Sequence, residues 1–205
     1  MMLTDKGLLI VLSGPSGAGK DSVIEEMKKN GADFNLSVSL TTRQKRCGEV
    51  DGESYYFVTR EYFEKKLKEG GFLEFAEYGG NLYGTPKAPV DEALAAGRNV
   101  LLEIEVQGAD KIRALYPDCV SIFILPPSVG VLEKRLRGRN TDDEEVIQRR
   151  LLIAKEEMRR SSDYSYVVIN DSLQQAADDV ASIIKAEKLK SARNKKTISE
   201  VIHHA

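Results

Sequence analysis

The apolar residues of this chain are concentrated in short unbroken runs, separated by segments with helical spacing. The four runs that we predict as core strands are residues 8–12, 100–104, 120–125 and 166–170. Runs of this length without alternation are typical of strands buried on both faces, as in a parallel sheet. Helices are predicted after Lys20 and at residues 89–96, 109–115, 128–137, from about 144, and at 172–188. Strands that alternate with helices predict right-handed βαβ units and an α/β fold.

Residues 37–85 have a different pattern, with shorter and partly alternating apolar stretches. The strand-like stretches are residues 37–42, 55–58 and 72–78. A helix capped by Thr59 and ending at Gly70 separates the second from the third. The sequence Gly79-Gly80-Asn81 is a hairpin-type turn. This segment is therefore predicted to be a small, partly antiparallel β insert.

Capping residues predict where two long helices begin. Thr141 with Glu144, and Ser172 with Gln175, have the spacing of a capping box. Beyond residue 188 the chain is first basic and polar and then carries a few apolar residues. Two interpretations of residues 189–205 stay open, a frayed extension or a short helix that docks on a neighbour.

Composition limits the possible functions. The 205 residues are 41% hydrophobic and 30% charged, with a net charge of −2, which is ordinary for one globular domain. This balance argues against a general nucleic-acid or membrane-surface role. Cys47 and Cys119 lack metal-binding spacing and fit a reducing cytosol. No apolar run approaches ~18 residues and the first residues do not resemble a signal peptide, so we expect a cytoplasmic protein.

A phosphate-binding loop follows the first apolar run. Gly14-x4-Gly19-Lys20 is the P-loop pattern. Its glycines let backbone N–H groups converge on phosphate oxygens, and the helix behind it carries a partial positive charge at its N-terminus. The pattern requires Ser or Thr directly after the lysine, whereas this chain has Asp21 and then Ser22. How a metal ion is held beside the loop is therefore a question for this chain.

Further ordered blocks extend the similarity beyond a P-loop, and the chain resembles guanylate kinases over roughly residues 7–188. The blocks are residues 14–20 (GPSGAGK), 39–49 (SLTTRQKRCGE), 80–85 (GNLYGT), 103–108 (EIEVQG), 126–128 (PPS), 135–141 (RLRGRNT) and 168–171 (VIND). The resemblance implies phosphoryl transfer from ATP to GMP, and also to dGMP, in purine nucleotide metabolism.

The resemblance also implies a domain organisation. It predicts a P-loop NTPase-type parallel-sheet core flanked by helices, with a β-rich GMP-binding insert and a helical lid. The corresponding ranges are 1–36, 86–134 and 151–188 for the core, 37–85 for the insert, 135–150 for the lid and 189–205 for a C-terminal extension. Monomer and homodimer both stay open.

One set of residues is assigned to GMP by this resemblance. The set is Ser39, Arg43, Arg46, Tyr55, Glu74, Tyr83, Thr85 and Glu105. Guanidinium forks suit the oxygens of a monophosphate. Guanine needs an acceptor for its N1–H and amine, which Glu74 offers, and a donor to O6, which Ser39 or Thr85 offers. Such a site should reject adenine, because its buried polar groups would be left unpaired.

A second set is assigned to ATP, catalysis and the metal ion. ATP contacts are expected from Gly14, Pro15, Ser16, Gly17, Ala18, Gly19, Lys20, Asp21, Ser22 and Asn170. The catalytic cations are expected to be Lys20, Arg43, Arg135, Arg139 and Arg150. Mg²⁺ is the expected cofactor, with Asp21, Ser22 and Glu103 as candidate ligands, because carboxylates and hydroxyls are hard oxygen ligands. The resemblance favours Ser22 as the hydroxyl contributor.

Two other functions are weighed against this one. A catalytically inactive interaction module of the same fold typically has a degraded P-loop, whereas Lys20 and the loop glycines are intact here. A related kinase acting on a sugar phosphate would not need the guanine-reading residues Ser39, Glu74 and Thr85.

Overall fold

Two β-sheets divide the strands of the computed structural model, which describes residues 6–138 and 143–203. Within those residues, strands β1 to β9 are Leu9–Ser13, Asn35–Leu36, Leu40–Thr41, Tyr56–Phe57, Phe72–Tyr78, Asn81–Pro86, Val100–Glu103, Val120–Leu125 and Tyr166–Ile169. Helices α1 to α8 are Lys20–Lys29, Arg60–Lys68, Lys87–Ala95, Val106–Leu115, Val129–Arg137, Glu144–Arg159, Leu173–Lys188 and Lys195–His203.

The larger sheet is parallel and has the strand order β2-β7-β1-β8-β9. Every residue of β1 is buried, since helices cover both of its faces. Ile10 and Leu12 pack in one apolar cluster with residues of α1 and α7, while Leu9 and Val11 pack in another with residues of α3 and α4. The predicted α/β class with a parallel sheet flanked by helices is confirmed, and the carboxyl end of β1 leads directly into the phosphate-binding loop.

The smaller sheet has the order β4-β3-β6-β5 and is formed by the predicted insert. Strands β5 and β6 are antiparallel and are joined at Gly79 and Gly80, which have φ angles of 58° and 77°. Positive φ at both positions is what a tight two-residue hairpin turn requires. Phe63 of α2 stacks on Phe72 of β5 at 4.4 Å between ring centroids, which closes a small apolar cluster beneath this sheet.

Helix starts are where the sequence prediction needed correction. The helix predicted to begin at residue 109 begins at Val106, because Glu105 is already in the extended conformation of an N-cap. Helix α6 has Asp143 as its N-cap, so the predicted capping box from Thr141 is wrong, and Thr141 itself lies outside the described residues. The Glu144 carboxylate instead accepts a hydrogen bond from Arg137 Nη2 at 2.8 Å.

Of the two hydrogen bonds of the second predicted capping box, one forms. Ser172 Oγ accepts a hydrogen bond from the backbone N–H of Gln175 at 3.4 Å. The Gln175 side chain does not reach back and donates to Asp179 at 2.8 Å. One side-chain cap is sufficient to start α7 at the predicted position.

Beyond α7 the chain continues into a short 3₁₀ turn, Ser191–Arg193, and then α8. Of the two interpretations of this segment, a short helix is observed. Glu187 anchors its beginning, because the buried Glu187 carboxylate accepts from Tyr166 Oη at 2.5 Å and pairs with Lys190 at 2.6 Å. Across residues 6–138 and 143–203, no helix combines the length and the apolar character needed to span a bilayer.

Candidate active site

A cavity of about 300 Å³ lies where the phosphate-binding loop, the β insert, the start of α4 and one face of α6 meet. Most of the predicted site residues line it. These are Ser16, Gly17, Gly19, Lys20, Asp21, Ser39, Arg43, Arg46, Tyr55, Glu74, Tyr83, Glu103, Glu105 and Arg150. The fold therefore brings together residues that are more than 100 positions apart in the sequence.

The phosphate-binding loop is shaped by glycines that no other residue could replace without strain. Gly14 has φ 146°, and a Cβ atom there would lie 2.3 Å from the carbonyl oxygen of Ile124. Gly19 has φ 93° and is the N-cap of α1. Lys20 Nζ donates a hydrogen bond to the carbonyl oxygen of Gly14 at 2.9 Å, so the lysine is folded back across the loop. Its ammonium group thus lies at the concave side where phosphates would be held.

Two predicted site residues support the loop from behind and do not line the cavity. Asn170 is 4% exposed, and its Nδ2 donates to the carbonyl oxygen of Ala18 at 2.8 Å. Arg135 donates to the same carbonyl at 3.1 Å and to the carbonyl oxygen of Asn170 at 2.9 Å. The expected contacts of Asn170 and Arg135 with ATP stay predictions. Both residues hold the backbone of the loop.

Helix α6 presents one face to the cavity. Arg150, Ile153 and Glu157 recur at helical spacing and line it together. Arg150 Nη2 donates to Ser16 Oγ at 2.6 Å, which ties this helix to the phosphate-binding loop. Burial raises the pKa of Glu157 to about 7, and the neighbouring Glu105 adds to the rise. Sequence reasoning missed Glu157, although its spacing from Arg150 was the available signal. The predicted Arg139 lies outside the described residues.

Two carboxyl groups face each other beside Lys20. Asp21 and Glu103 both line the cavity, and burial, helped by the charge of Asp21, raises the pKa of Glu103 to about 7. Ser22 is exposed and does not line the cavity, so the preference for its hydroxyl as a metal ligand is not supported. Ser22 is directed away because it is the third residue of α1. Among the described residues, no group of three His, Cys, Asp or Glu side chains forms a ready-made metal site.

Arg43 is held by a carboxylate that sequence reasoning overlooked. Its Nη1 and Nη2 donate to the two oxygens of Glu49 at 2.9 and 2.7 Å, and the backbone N–H of Arg46 donates to Glu49 at 2.7 Å. The guanidinium also lies over the ring of Tyr55, 5.5 Å from its centroid. These contacts raise the pKa of Arg43 and lower that of Glu49, chiefly through the hydrogen bonds between them. The arginine is thereby oriented before any ligand arrives.

Glu74, a residue of β5 in the insert, lines the same cavity and is 7% exposed. Thr85 Oγ1 donates to Glu74 Oε1 at 2.7 Å. Thr85 is fully buried and does not line the cavity, and its hydroxyl proton serves Glu74. The expected contact of Thr85 with GMP stays a prediction. Burial raises the pKa of Glu74, and the bond from Thr85 opposes that rise. Ser39, which does line the cavity, is the remaining predicted donor there.

Comparison with known proteins gives consistent matches over nearly the whole chain. A family model described as guanylate kinase matches residues 6–187. A guanylate kinase of Carboxydothermus hydrogenoformans is 50% identical over 188 residues, which cover 92% of this chain and 92% of the relative. One of Nitrosospira multiformis is 50% identical over 192 residues, which cover 94% and 91%. The crystal structure of guanylate kinase from Anaplasma phagocytophilum is similar with a TM-score of 0.77 at 36% identity, covering 94% of this chain and 92% of that one.

Proposed function

The chain belongs to the guanylate kinase family, and we propose that its cavity is where a phosphoryl group passes from ATP to GMP. Its reaction is that of an ATP:GMP phosphotransferase. The observation that carries the proposal for the cavity is that two elements line it together. The phosphate-binding loop contributes Lys20 and glycines, and the insert contributes Arg43, Tyr55 and Glu74.

Cations in this cavity are suited to the charge of two facing phosphate chains. Lys20 serves the β- and γ-phosphates of ATP at the loop. Arg150, tied to Ser16 of the loop, serves the same phosphates from the α6 side. Arg43 and Arg46 serve the phosphate of GMP from the insert. Cations that reach the transferring group from several directions stabilise the charge that spreads over its oxygens.

The chemical step needs little from the chain beyond position and charge. An oxygen of the GMP phosphate attacks the γ-phosphorus of ATP, while the bond from that phosphorus to the β–γ bridging oxygen breaks. The bond electrons leave with ADP, and GDP is the other product. The second pKa of a phosphate monoester is about 6, so the attacking oxygen is largely an anion at neutral pH and requires no general base. The chain's contribution is to hold the two phosphates in line.

Guanine selection is assigned to Glu74. An ionised carboxylate accepts hydrogen bonds and donates none, so it matches the N1–H and amine of guanine and opposes the unprotonated N1 of adenine. Thr85 fixes one of its oxygens, which leaves the other for the base. Ser39 is the donor proposed for guanine O6. Glu105, at the N-cap of α4, is the proposed second acidic contact.

Mg²⁺ is the proposed cofactor, and the donor set beside Lys20 fits it. Asp21 and Glu103 offer carboxylate oxygens, which Mg²⁺ prefers, and one or two carboxylates with nucleotide phosphates and waters is a usual arrangement for this ion. We assign the ion to Asp21 and Glu103 and leave Ser22 out. When bound, the ion would neutralise phosphate charge.

The cellular setting proposed for this reaction is a reducing compartment such as the cytoplasm. Cys47 is an exposed free thiol and Cys119 is a partly buried one. Thiols of this kind persist where glutathione and thioredoxin keep them reduced. The partners proposed are the two nucleotides.

A direct test compares phosphoryl acceptors on the wild-type protein and on Glu74→Gln. We expect ADP formation that requires Mg²⁺ and GMP, with AMP and a sugar phosphate giving little. Because a hydrogen bond to a charged group contributes about 1.5–3 kcal/mol, Glu74→Gln should lower kcat/KM for GMP by roughly 10- to 150-fold. Glu77→Gln, on the same strand, is the matched control and should behave as wild type. If the sugar phosphate stimulates turnover and GMP does not, the proposed acceptor is wrong.

A further inference from the structure

Gly108 stands in the first turn of α4, where a glycine is unexpected on local grounds. Glycine in a helix is less favourable than alanine by about 1 kcal/mol. Gly108 is not among the glycines with positive φ, so its backbone conformation does not demand the missing side chain. The reason for a glycine at this position must therefore lie in what surrounds it.

The surroundings of Gly108 are dominated by one carboxylate. A Cβ atom at this position would lie 2.7 Å from Glu74 Oε2 and 3.1 Å from Glu74 Cδ. Both distances are shorter than ordinary van der Waals contact. The carboxylate therefore occupies the space that any side chain at Gly108 would need. This approach also brings it against the N-terminal turn of a helix, where the helix dipole favours negative charge.

Glu74 is constrained from its other side as well. Its Oε1 is fixed by Thr85 Oγ1 at 2.7 Å, while its Oε2 faces Gly108. Lys111, one turn further along α4, donates to the carbonyl oxygen of Phe75 and lies over the Phe75 ring, 4.7 Å from its centroid. These contacts tie α4 to β5, so the helix cannot easily move away from the carboxylate.

We propose that Gly108 is a positioning residue that sets the orientation of the Glu74 carboxylate and thereby the preference for guanine. The inference rests on the proposed function, in which Glu74 reads the base. Because Gly108 has no side chain, the Glu74 carboxylate can lie between Thr85 and the α4 backbone. In that position, the carboxylate can accept hydrogen bonds from the base in the cavity. A methyl group at position 108 displaces the carboxylate of Glu74, which is the end of a flexible side chain. The displacement therefore lowers the stability of the protein little but changes the recognition of guanine strongly.

The experiment compares Gly108→Ala with Gly130→Ala. Gly130 is a matched control because it is also helical, in α5, and the nearest atom to an added Cβ would be Ser128 Oγ at 3.8 Å. For Gly108→Ala we expect KM for GMP to rise at least ~10-fold, as for the loss of a charged hydrogen bond. KM for ATP and the melting temperature should change little. The preference for GMP over inosine monophosphate, which lacks the exocyclic amine, should fall by a similar factor.

A double variant separates action through Glu74 from simple filling of the cavity. In Gly108→Ala with Glu74→Asp, the shorter acid withdraws from the added methyl group. We expect the double variant to be no worse than Glu74→Asp alone, since coupled residues give non-additive effects. If Gly108→Ala raises KM for GMP by the same factor in wild type and in Glu74→Asp, the proposal is overturned. If Gly108→Ala fails to fold, recovery of folding in the double variant supports the contact, and its absence refutes it.

These outcomes are distinguishable from a failure of the proposed function. If GMP is not the acceptor, the wild-type protein itself shows no turnover that depends on GMP. If only this inference fails, wild type and Glu74→Gln respond to GMP as expected while Gly108→Ala behaves like Gly130→Ala.

Discussion

Two parts of the cavity lining, a donor end formed by the phosphate-binding loop and an acceptor end formed by the insert, are built in different ways. At the donor end the phosphate-binding loop uses backbone groups from consecutive residues, and Lys20 rests on the carbonyl oxygen of Gly14. At the acceptor end the groups are side chains from separate strands and loops. Arg43 is paired with the carboxylate of Glu49, and Glu74 with the hydroxyl of Thr85.

This difference has a functional reason. Backbone N–H groups recognise phosphate in any nucleotide, which suits a donor whose identity is set mainly by its phosphates. Side-chain pairs can reject a wrong base, because a mismatch leaves a buried polar group unpaired. Such side-chain pairs also cost more free energy to rearrange. A phosphate of ATP takes Lys20 from a neutral carbonyl group, whereas the phosphate of GMP must share Arg43 with the carboxylate of Glu49.

The largest expected effect is at the donor end. Lys20→Met should lower kcat by about 10²–10³-fold, the usual cost of removing one preorganised group that stabilises transition-state charge. Steady-state kinetics with both nucleotides saturating measures this. Lys29→Met, at an exposed position of the same helix, is the control and should keep full activity. A loss below ~10-fold would mean that backbone groups alone carry the donor end.

A smaller effect is expected at the acceptor end. Arg43→Lys keeps the charge and loses the planar fork that meets both oxygens of Glu49. We expect KM for GMP to rise about 10-fold, because one charged hydrogen bond is lost, with KM for ATP unchanged. Lys45→Arg, an exposed change in the same loop, tests whether any basic substitution there matters. An equal rise in both KM values would show that the two ends are not independent.

The smallest effect concerns Glu157, which lines the cavity from α6. Its pKa is raised from an ordinary 4.5 to about 7, mainly by burial. The folded protein thus favours the protonated acid, so wild-type stability falls as pH rises from about 4.5 to 7. Glu157→Gln has no such proton to lose. Its melting temperature relative to wild type should therefore be higher at pH 8 than at pH 5.

The control for this pH effect is Glu156→Gln. Glu156 is exposed and pairs with Arg159 on the same helix. Its melting temperature relative to wild type should vary less with pH than that of Glu157→Gln. A flat difference for Glu157→Gln would mean that water reaches this carboxyl group freely.

The donor end was largely predictable from sequence, and the acceptor end only in part. The loop and the strand before it consist of consecutive residues, so local rules for glycine and apolar runs determine them. The partners at the acceptor end depend on how strands pair. Glu74 meets Thr85 across a hairpin whose register shifts between Phe72 and Glu74. A shift of that kind has no reliable sequence signal, and so the hydrogen bond from Thr85 to Glu74 was not predicted.

Long-range support was the other limit. Sequence reasoning assigned Asn170 and Arg135 to substrate, yet both side chains reach the carbonyl oxygen of Ala18. That arrangement follows from the neighbouring positions of β1, β8 and β9 in the sheet. The apolar pattern of the sequence identified the strands, but it did not show which side chains would contact the backbone of the phosphate-binding loop. Glu49 and Glu157 were missed for a different reason. Both had a local signal, because Glu49 is six residues from Arg43 and Glu157 lies at helical spacing from Arg150.

The hydrogen bonds from Arg135 and Asn170 to the carbonyl oxygen of Ala18 also bear on when, during synthesis, the protein becomes able to bind a nucleotide. The ribosome makes the phosphate-binding loop before the side chains that hold its carbonyl, which follow 117 and 152 positions later. Contacts of such separation form late, since a long loop must close before they do. During synthesis the loop is therefore without its two supports until both of those residues have emerged. A partly made chain should consequently neither bind nor consume ATP.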